Sequence, residues 1–272
     1  MEPITLETVN VARGKSPKRK CFTETGLQKK KQNSSMSFSV MFSETIKPIF
    51  VEMTGIQLFF SERFNNYYKM IDKNELQVIE NWEQQQGERV FLRDCLALSI
   101  AMSFNFTTNN TDRKYTVIGL LEHNAKNNND MEAVDALAQH SSKTIKELPF
   151  YKDADYICAV PPRPGKNFDL PSQVTEKVAQ TLNKKNITNH FNYGKEKESI
   201  KSSKVEDKWL YLEKSKLNFD GLDLNGKNII LIDDKYQSGT TIQFVGMKLQ
   251  KAGAKNVYGL SFVKTMRDTD NQ

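Results

Sequence analysis

Two kinds of apolar spacing alternate along the second half of the chain. Residues 154–160 (ADYICAV), 228–232 (NIILI) and 257–263 (VYGLSFV) are short, nearly continuous apolar runs, the pattern of strands buried on both faces. Residues 130–147, 170–184 and 240–251 instead place apolar side chains three and four apart, as at Ile242, Val245 and Leu249, and predict helices. Residues 115–121 and 187–193 read as two further strands, and Gly253 stands where a glycine ends the helix of 240–251. Strands alternating with helices predict an α/β fold, a mostly parallel sheet flanked by helices.

The first 112 residues lack this alternation. Apolar runs at 38–42, 49–53 and 56–60 suggest a few strands or a compact cap, followed by a helical region from Asn74. Residues 95–106 (CLALSIAMSFNF) read as the later part of that helical region, because a membrane span needs about 20 apolar residues. The expected organisation is a flexible basic arm over 1–36, a mixed, partly helical subdomain over 37–112, and the α/β domain over 113–272. Within the last, residues 194–225 interrupt the alternation with seven lysines and one apolar group at 209–212. On their own they read as a solvated charged hairpin.

The chemistry concentrates in residues 228–241, NIILIDDKYQSGTT. A buried strand there runs into two adjacent acids, Asp233 and Asp234, and then into a polar turn of Gln237, Ser238, Gly239, Thr240 and Thr241 that opens a helix. This is where open parallel sheets bind ligands, and free N–H groups at a helix start favour phosphate. Gly239 lets successive amides close around a phosphate; as a surface turn, it is expected to matter more to ligand binding than to folding. The alternative is that the acids cap the helix and the glycine turns the chain. A second segment, Pro161, Pro162, Arg163, Pro164, Gly165, Lys166, Asn167 and Phe168, follows the strand of 154–160. Arg163 and Lys166 make this turn basic, although a Pro-stiffened surface loop with solvated charges has the same composition.

Together these segments resemble the type I phosphoribosyltransferases over residues 115–268. Strand, Asp-Asp, three residues and Ser-Gly-Thr-Thr is similar to that family's phosphoribosyl-pyrophosphate (PRPP) motif, and the proline-rich basic turn resembles the ComF-like, competence-associated branch. The resemblance implies Mg²⁺-dependent transfer with displacement of pyrophosphate. Asp233 and Asp234 would hold the ribose hydroxyls and, through them, the bound Mg²⁺. Residues 237–241 would hold the 5′-phosphate, Arg163 and Lys166 would meet the pyrophosphate, and 194–225 would be a hood closing over the sugar. Gln237 stands where purine-salvage members often carry a carboxylate, which disfavours a hypoxanthine or guanine acceptor. Lys235 stands where an aliphatic residue is usual; it supplies a further phosphate contact or ties down Asp234.

Composition sets the surroundings. With 272 residues, 38% hydrophobic and 26% charged, the chain has the profile of a soluble globular protein. Cys21, Cys95 and Cys158 show no metal-ligand spacing and His123, His140 and His190 are scattered, so reduced thiols in a cytoplasm are expected and a zinc site is not. The start has no apolar core for a signal peptide. Of the net charge of +6, most lies in residues 1–36, where Arg13, Lys15, Lys18, Arg19, Lys20, Lys29, Lys30 and Lys31 face three acids. That leader is either a contact for nucleic acid or an acidic partner through residues 13–31, or a solvated tail. Two rivals to the transferase follow: a non-catalytic PRPP or nucleotide sensor, and an effector subunit, as in a defence system. Acceptor and oligomeric state are not legible.

Overall fold

The structure, a computed structural model, describes residues 2–14, 27–32, 35–40, 44–107, 114–194 and 204–265. Its centre is a six-stranded sheet ordered β5(Val90–Phe91), β6(Leu98–Phe104), β12(Asn256–Lys264), β11(Asn228–Tyr236), β7(Tyr156–Ala159), β8(Lys185–Asn186). Every pairing is parallel except that of the edge strand β5 with β6. β11 is central because its apolar run serves two cores. Ile230 and Ile232 join one, whereas Ile229 and Leu231 join the other, as alternate residues of a strand must. On the first face lie α4(Val117–Asn128), α5(Met131–Glu147) and α6(Leu170–Leu182); on the second lie α7(Val205–Lys214) and α8(Thr240–Lys251). Side chains of Thr116, Asp130 and Asp169 cap α4, α5 and α6. Gly253, at φ +100°, follows α8 in the left-handed conformation expected of a terminating glycine.

Ahead of this core, β1(Leu27–Gln32), β2(Ser35–Val40), β4(Asn66–Ile71) and β3(Phe59–Ser61) form a separate antiparallel sheet in that order. It packs on α2(Ile46–Thr54) and α3(Lys73–Gln86) through Phe38, Phe50 and Trp82, whose rings meet at 5.3 Å and 5.2 Å.

Several sequence expectations change. The helical region from Asn74 ends at Gly87, and the apolar run 98–104 is strand β6, because β12 offers it a parallel ladder from Leu98 to Phe104. The parallel sheet therefore recruits residues from before 113, and the expected boundary between subdomain and α/β domain falls inside one sheet. Residues 115–121, read as a strand, form the start of α4 from Val117, with Thr116 as its cap. Residues 187–193 split into a 3-10 turn and β9(Phe191–Tyr193), which pairs with β10(Leu217–Phe219) outside the main sheet. The leader is not one flexible arm. α1(Leu6–Gly14) docks on α8 with Ile4 and Val9 buried, Ile4 donates to Gln250 Oε1 at 2.9 Å, and residues 27–32 form β1. The basic residues of 15–26, and Cys21, lie outside the described residues. Cys158 is buried in β7, and no helix among the described residues is long and apolar enough to cross a membrane.

Candidate functional site

The sheet order creates a switch point. From β7 the chain passes through α6 to β8, on one side; from β11 it passes through α8 to β12, on the other. The neighbouring carboxyl ends of β7 and β11 thus send their loops apart, and the crevice left between such loops is where open α/β sheets bind ligands. The two segments singled out in the sequence are these two loops.

A cavity of about 170 Å³ opens there. Arg163, Asp233, Lys235, Gln237, Ser238, Gly239, Thr240 and Thr241 all line it, joined by Lys208, Leu212 and Ile242. Its floor is the amino end of α8, which has no side-chain cap and no acid in its first turn. The first-turn N–H groups and three cations, Arg163, Lys208 and Lys235, therefore surround one small space suited to an anion. Ser238 and Thr240 are buried in the loop with their hydroxyls 2.9 Å apart. Gly239 is left-handed, at φ +74°, and a Cβ there would lie 2.2 Å from the Tyr236 hydroxyl oxygen. Tyr236 donates to Asp94 Oδ2 at 3.1 Å, and burial pushes the Asp94 carboxyl up to about 6. The buried Lys264 donates from Nζ to the Gln237 carbonyl at 3.2 Å and pins the loop from below.

The paired acids diverge. β11 continues through Tyr236, hydrogen-bonded in register with β12 to Lys264, so Asp233 and Asp234 occupy successive strand positions and point to opposite faces. Asp233 faces the cavity. Asp234 faces α4, where it forms an ion pair with Lys126. Lys126 also approaches the buried Glu122 at 3.7 Å, and Glu122 accepts Lys235 at 3.1 Å. The result is a four-membered chain of alternating charge that ties α4 to the motif strand. In it Lys235, which also lines the cavity, pairs with Glu122, and the cation on Asp234 is Lys126. Burial and then the neighbouring Asp234 charge push the Asp233 carboxyl up to about 8.

Lys166 stands apart from the cavity. Its Nζ lies 2.7 Å from Asp169 Oδ1, at the cap of α6, and it lines a separate cavity of about 700 Å³ between the proline-rich turn and β9. Arg163 borders both cavities. The segment read as a hood contributes α7, which is docked on α8: Trp209 is buried and its ring meets Phe244 edge-on at 5.1 Å. Lys208 reaches the cavity from this helix. Residues 195–203 of the expected hood lie outside the described residues. Sequence reading missed Lys208, Lys264, Lys126 and Glu122. The first is one lysine among seven in its segment, and the others come from elements without a motif.

Among the described residues no group of three or more His, Cys, Asp or Glu could hold a metal ion. Two adjacent carboxylates, one of them engaged by Lys126, suit a Mg²⁺ that arrives on a ligand's phosphates better than one caged by protein oxygens alone.

No family model and no curated protein matches the chain. Among solved structures it is similar to an allosteric regulatory enzyme of purine biosynthesis, at 12% identity and a TM-score of 0.33, over 84% of this chain and 45% of that one. It is also similar to glutamine phosphoribosylpyrophosphate amidotransferase from B. subtilis complexed with ADP and GMP, at 14% identity and a TM-score of 0.32, over 84% and 48%. The chain thus spans under half the length of either protein.

Proposed function

We propose that this chain is a type I phosphoribosyltransferase-like protein that binds PRPP with Mg²⁺ at the switch point and transfers the phosphoribosyl group to an acceptor, releasing pyrophosphate. The observation that carries the reading is the convergence of eight sequence-nominated residues on one cavity at the uncapped start of α8. In this scheme the amides and hydroxyls of residues 237–241 hold the 5′-phosphate, and Lys208 adds a cation from above. Asp233 takes a ribose hydroxyl, and Arg163, on the wall between the two cavities, meets the pyrophosphate with a planar fork suited to it. Lys166 joins Arg163 if its pair with Asp169 opens. Mg²⁺, when bound, neutralises pyrophosphate charge. The protein's own contribution is positioning and a fixed electrostatic field. Assignment to the ComF-like branch rests on the 161–168 turn alone.

Calorimetric titration of the full chain with PRPP and Mg²⁺ tests the site. Arg163→Ala is expected to weaken PRPP binding at least tenfold, the loss of one charge-assisted contact of about 1.5–3 kcal/mol, while leaving ribose 5-phosphate binding nearly unchanged. Lys208→Ala is expected to weaken both ligands alike. Absence of saturable binding, or an Arg163→Ala variant that binds PRPP normally, would sink the assignment.

A second reading, binding without turnover, is favoured by one observation. Lys126 occupies Asp234, so the second acid reaches a sugar hydroxyl only if that pair opens. Pyrophosphate release across a panel of bases separates the two readings. Tight binding with no release from any base supports the sensor.

A further inference from the structure

The buried face of α4 carries a charge. Ile118, Gly119 and Ala125 point inward, and Glu122, on the same face, is only 2% exposed. A carboxylate taken out of water is costly unless cations and donors surround it. Lys235 Nζ meets Glu122 Oε2 at 3.1 Å. The other oxygen, Oε1, is equally buried yet accepts no hydrogen bond from the described residues. Lys126 Nζ stands 3.7 Å from it, beyond hydrogen-bonding reach, because it is turned to Asp234. Glu122 and Lys126 are four residues apart on one helix face, so rotation of the lysine side chain alone closes that gap. A tie that served only to hold α4 on the motif strand has no reason to leave one carboxylate oxygen unbonded in the interior.

The acid is the fixed part and the lysines are the movable ones. One turn before Glu122, Gly119 lies so close to β6 that a Cβ there would come within 2.1 Å of the Asn105 carbonyl oxygen, and the Thr116 hydroxyl caps its N–H at 2.9 Å. The side chains of Lys126 and Lys235 are 39% and 34% exposed. Of the four charged residues in this chain, only Lys235 lines the switch-point cavity. An anion entering the cavity competes with Glu122 for that one lysine. Once Lys235 turns to the anion, the buried Glu122 has lost its hydrogen-bonded cation, and Lys126 is the next cation within reach.

We propose that Glu122 is a positioning residue that couples the two halves of the switch-point site: a phosphate draws Lys235 off Glu122, Lys126 moves from Asp234 to Glu122, and Asp234 is freed for a sugar hydroxyl. The inference rests on the phosphoribosyl reading of that site and explains how the second acid opens. The cavity of about 170 Å³ holds a phosphate and not the sugar attached to it. The sugar extends past Asp233 towards Asp234, the next residue of β11. A phosphate without a sugar therefore shifts the lysines and gains nothing from Asp234.

Calorimetric titration of the full chain with inorganic phosphate and with ribose 5-phosphate tests the exchange. Glu122→Gln keeps the shape and removes the charge that receives Lys126. It is expected to weaken ribose 5-phosphate binding about tenfold, a usual size for coupling between two sites, while inorganic phosphate binds as tightly as before or more tightly, since nothing holds Lys235 back. Loss of a merely structural contact weakens both ligands. Adding Lys126→Met to Glu122→Gln frees Asp234 and is expected to restore ribose 5-phosphate affinity, whereas a second structural lesion lowers it further. A measurement on the wild type needs no variant to fold. With isotope-labelled lysine, inorganic phosphate should shift the side-chain resonances of Lys235 and Lys126 together, although Lys126 lies outside the cavity lining. The proposal is overturned if folded Glu122→Gln binds ribose 5-phosphate normally or weakens both ligands alike, if the double variant restores nothing, or if phosphate leaves the Lys126 resonance in place. With ribose 5-phosphate still bound by the wild type, those outcomes sink the exchange and spare the site. A wild type that binds neither probe overturns both readings.

Discussion

Gly239→Val is expected to lose both the ligand and much of the fold's stability. The left-handed φ of +74° costs a non-glycine residue about 1–2 kcal/mol, and valine more, because its branched Cβ crowds the backbone. The new Cβ would sit 2.2 Å from the Tyr236 hydroxyl oxygen and 2.3 Å from the ring carbon that bears it, so the ring must leave. With it goes the hydrogen bond to Asp94, whose loss leaves a partly buried acceptor unpaired at about 1–3 kcal/mol. Together these imply a fall in Tm of roughly 5–15 °C. Thermal denaturation with and without PRPP checks it. A Tm within about 2 °C of wild type would mean that the loop absorbs the side chain without moving Tyr236. Tyr236→Phe isolates the hydroxyl, and should account for the Asp94 share alone. Affinity for phosphate-bearing ligands, measured well below the variant's Tm, should fall at least tenfold. The expectation from sequence, that a surface glycine would matter to the ligand and hardly to folding, is revised by the Tyr236 ring packed against it.

Asp233→Asn should stabilise the free protein, and by more as pH rises. The Asp233 carboxyl is held up to about 8 by burial and the nearby Asp234 charge, against an ordinary value of 3.8. An acid whose folded pKa is raised gives stability that is fully present below its unfolded value and is lost as pH climbs through the folded one. Asparagine mimics the protonated acid and has no proton to lose. The advantage of the variant should therefore be near zero below about pH 4, grow up to about pH 8, and level off above it. Its size is on the order of a few kcal/mol, or roughly 5 °C or more in Tm. Denaturant unfolding of both proteins across that range is the measurement. A flat difference between pH 4 and 8 would mean that Asp233 is ionised and solvated throughout. Asp234→Asn, by removing one of the two causes, should move the wild-type trend to lower pH. If Asp233 also holds a ribose hydroxyl, the stabilised Asp233→Asn protein should bind PRPP more weakly, the opposition of stability and function expected where a strained charge serves a ligand.

What the sequence determined follows from local periodicity. The continuous apolar runs of β7, β11 and β12 and the helical spacing of α5, α6 and α8 are each set by which faces must be buried, so the α/β alternation was legible residue by residue. The two loops that meet at the switch point were legible too, as segments rich in glycine, proline and charge directly after buried strands. Periodicity misled where a short apolar run fits either element: 98–104 became a strand because β12 offered it a ladder, and 117–128 a helix because Thr116 caps it. It also ended β11 at Ile232, where apolar character stops, whereas backbone pairing with β12 runs on through Tyr236 regardless of side-chain polarity. That extension, a tertiary fact, sends Asp233 to the cavity and Asp234 to Lys126. The remaining partners, Lys208, Lys264, Lys126, Glu122 and Asp94, come from elements far apart in the chain. Only packing of α4, α7 and the loop after β5 around the motif strand places their charges together, and charge proximity across such distances leaves no periodic trace in sequence.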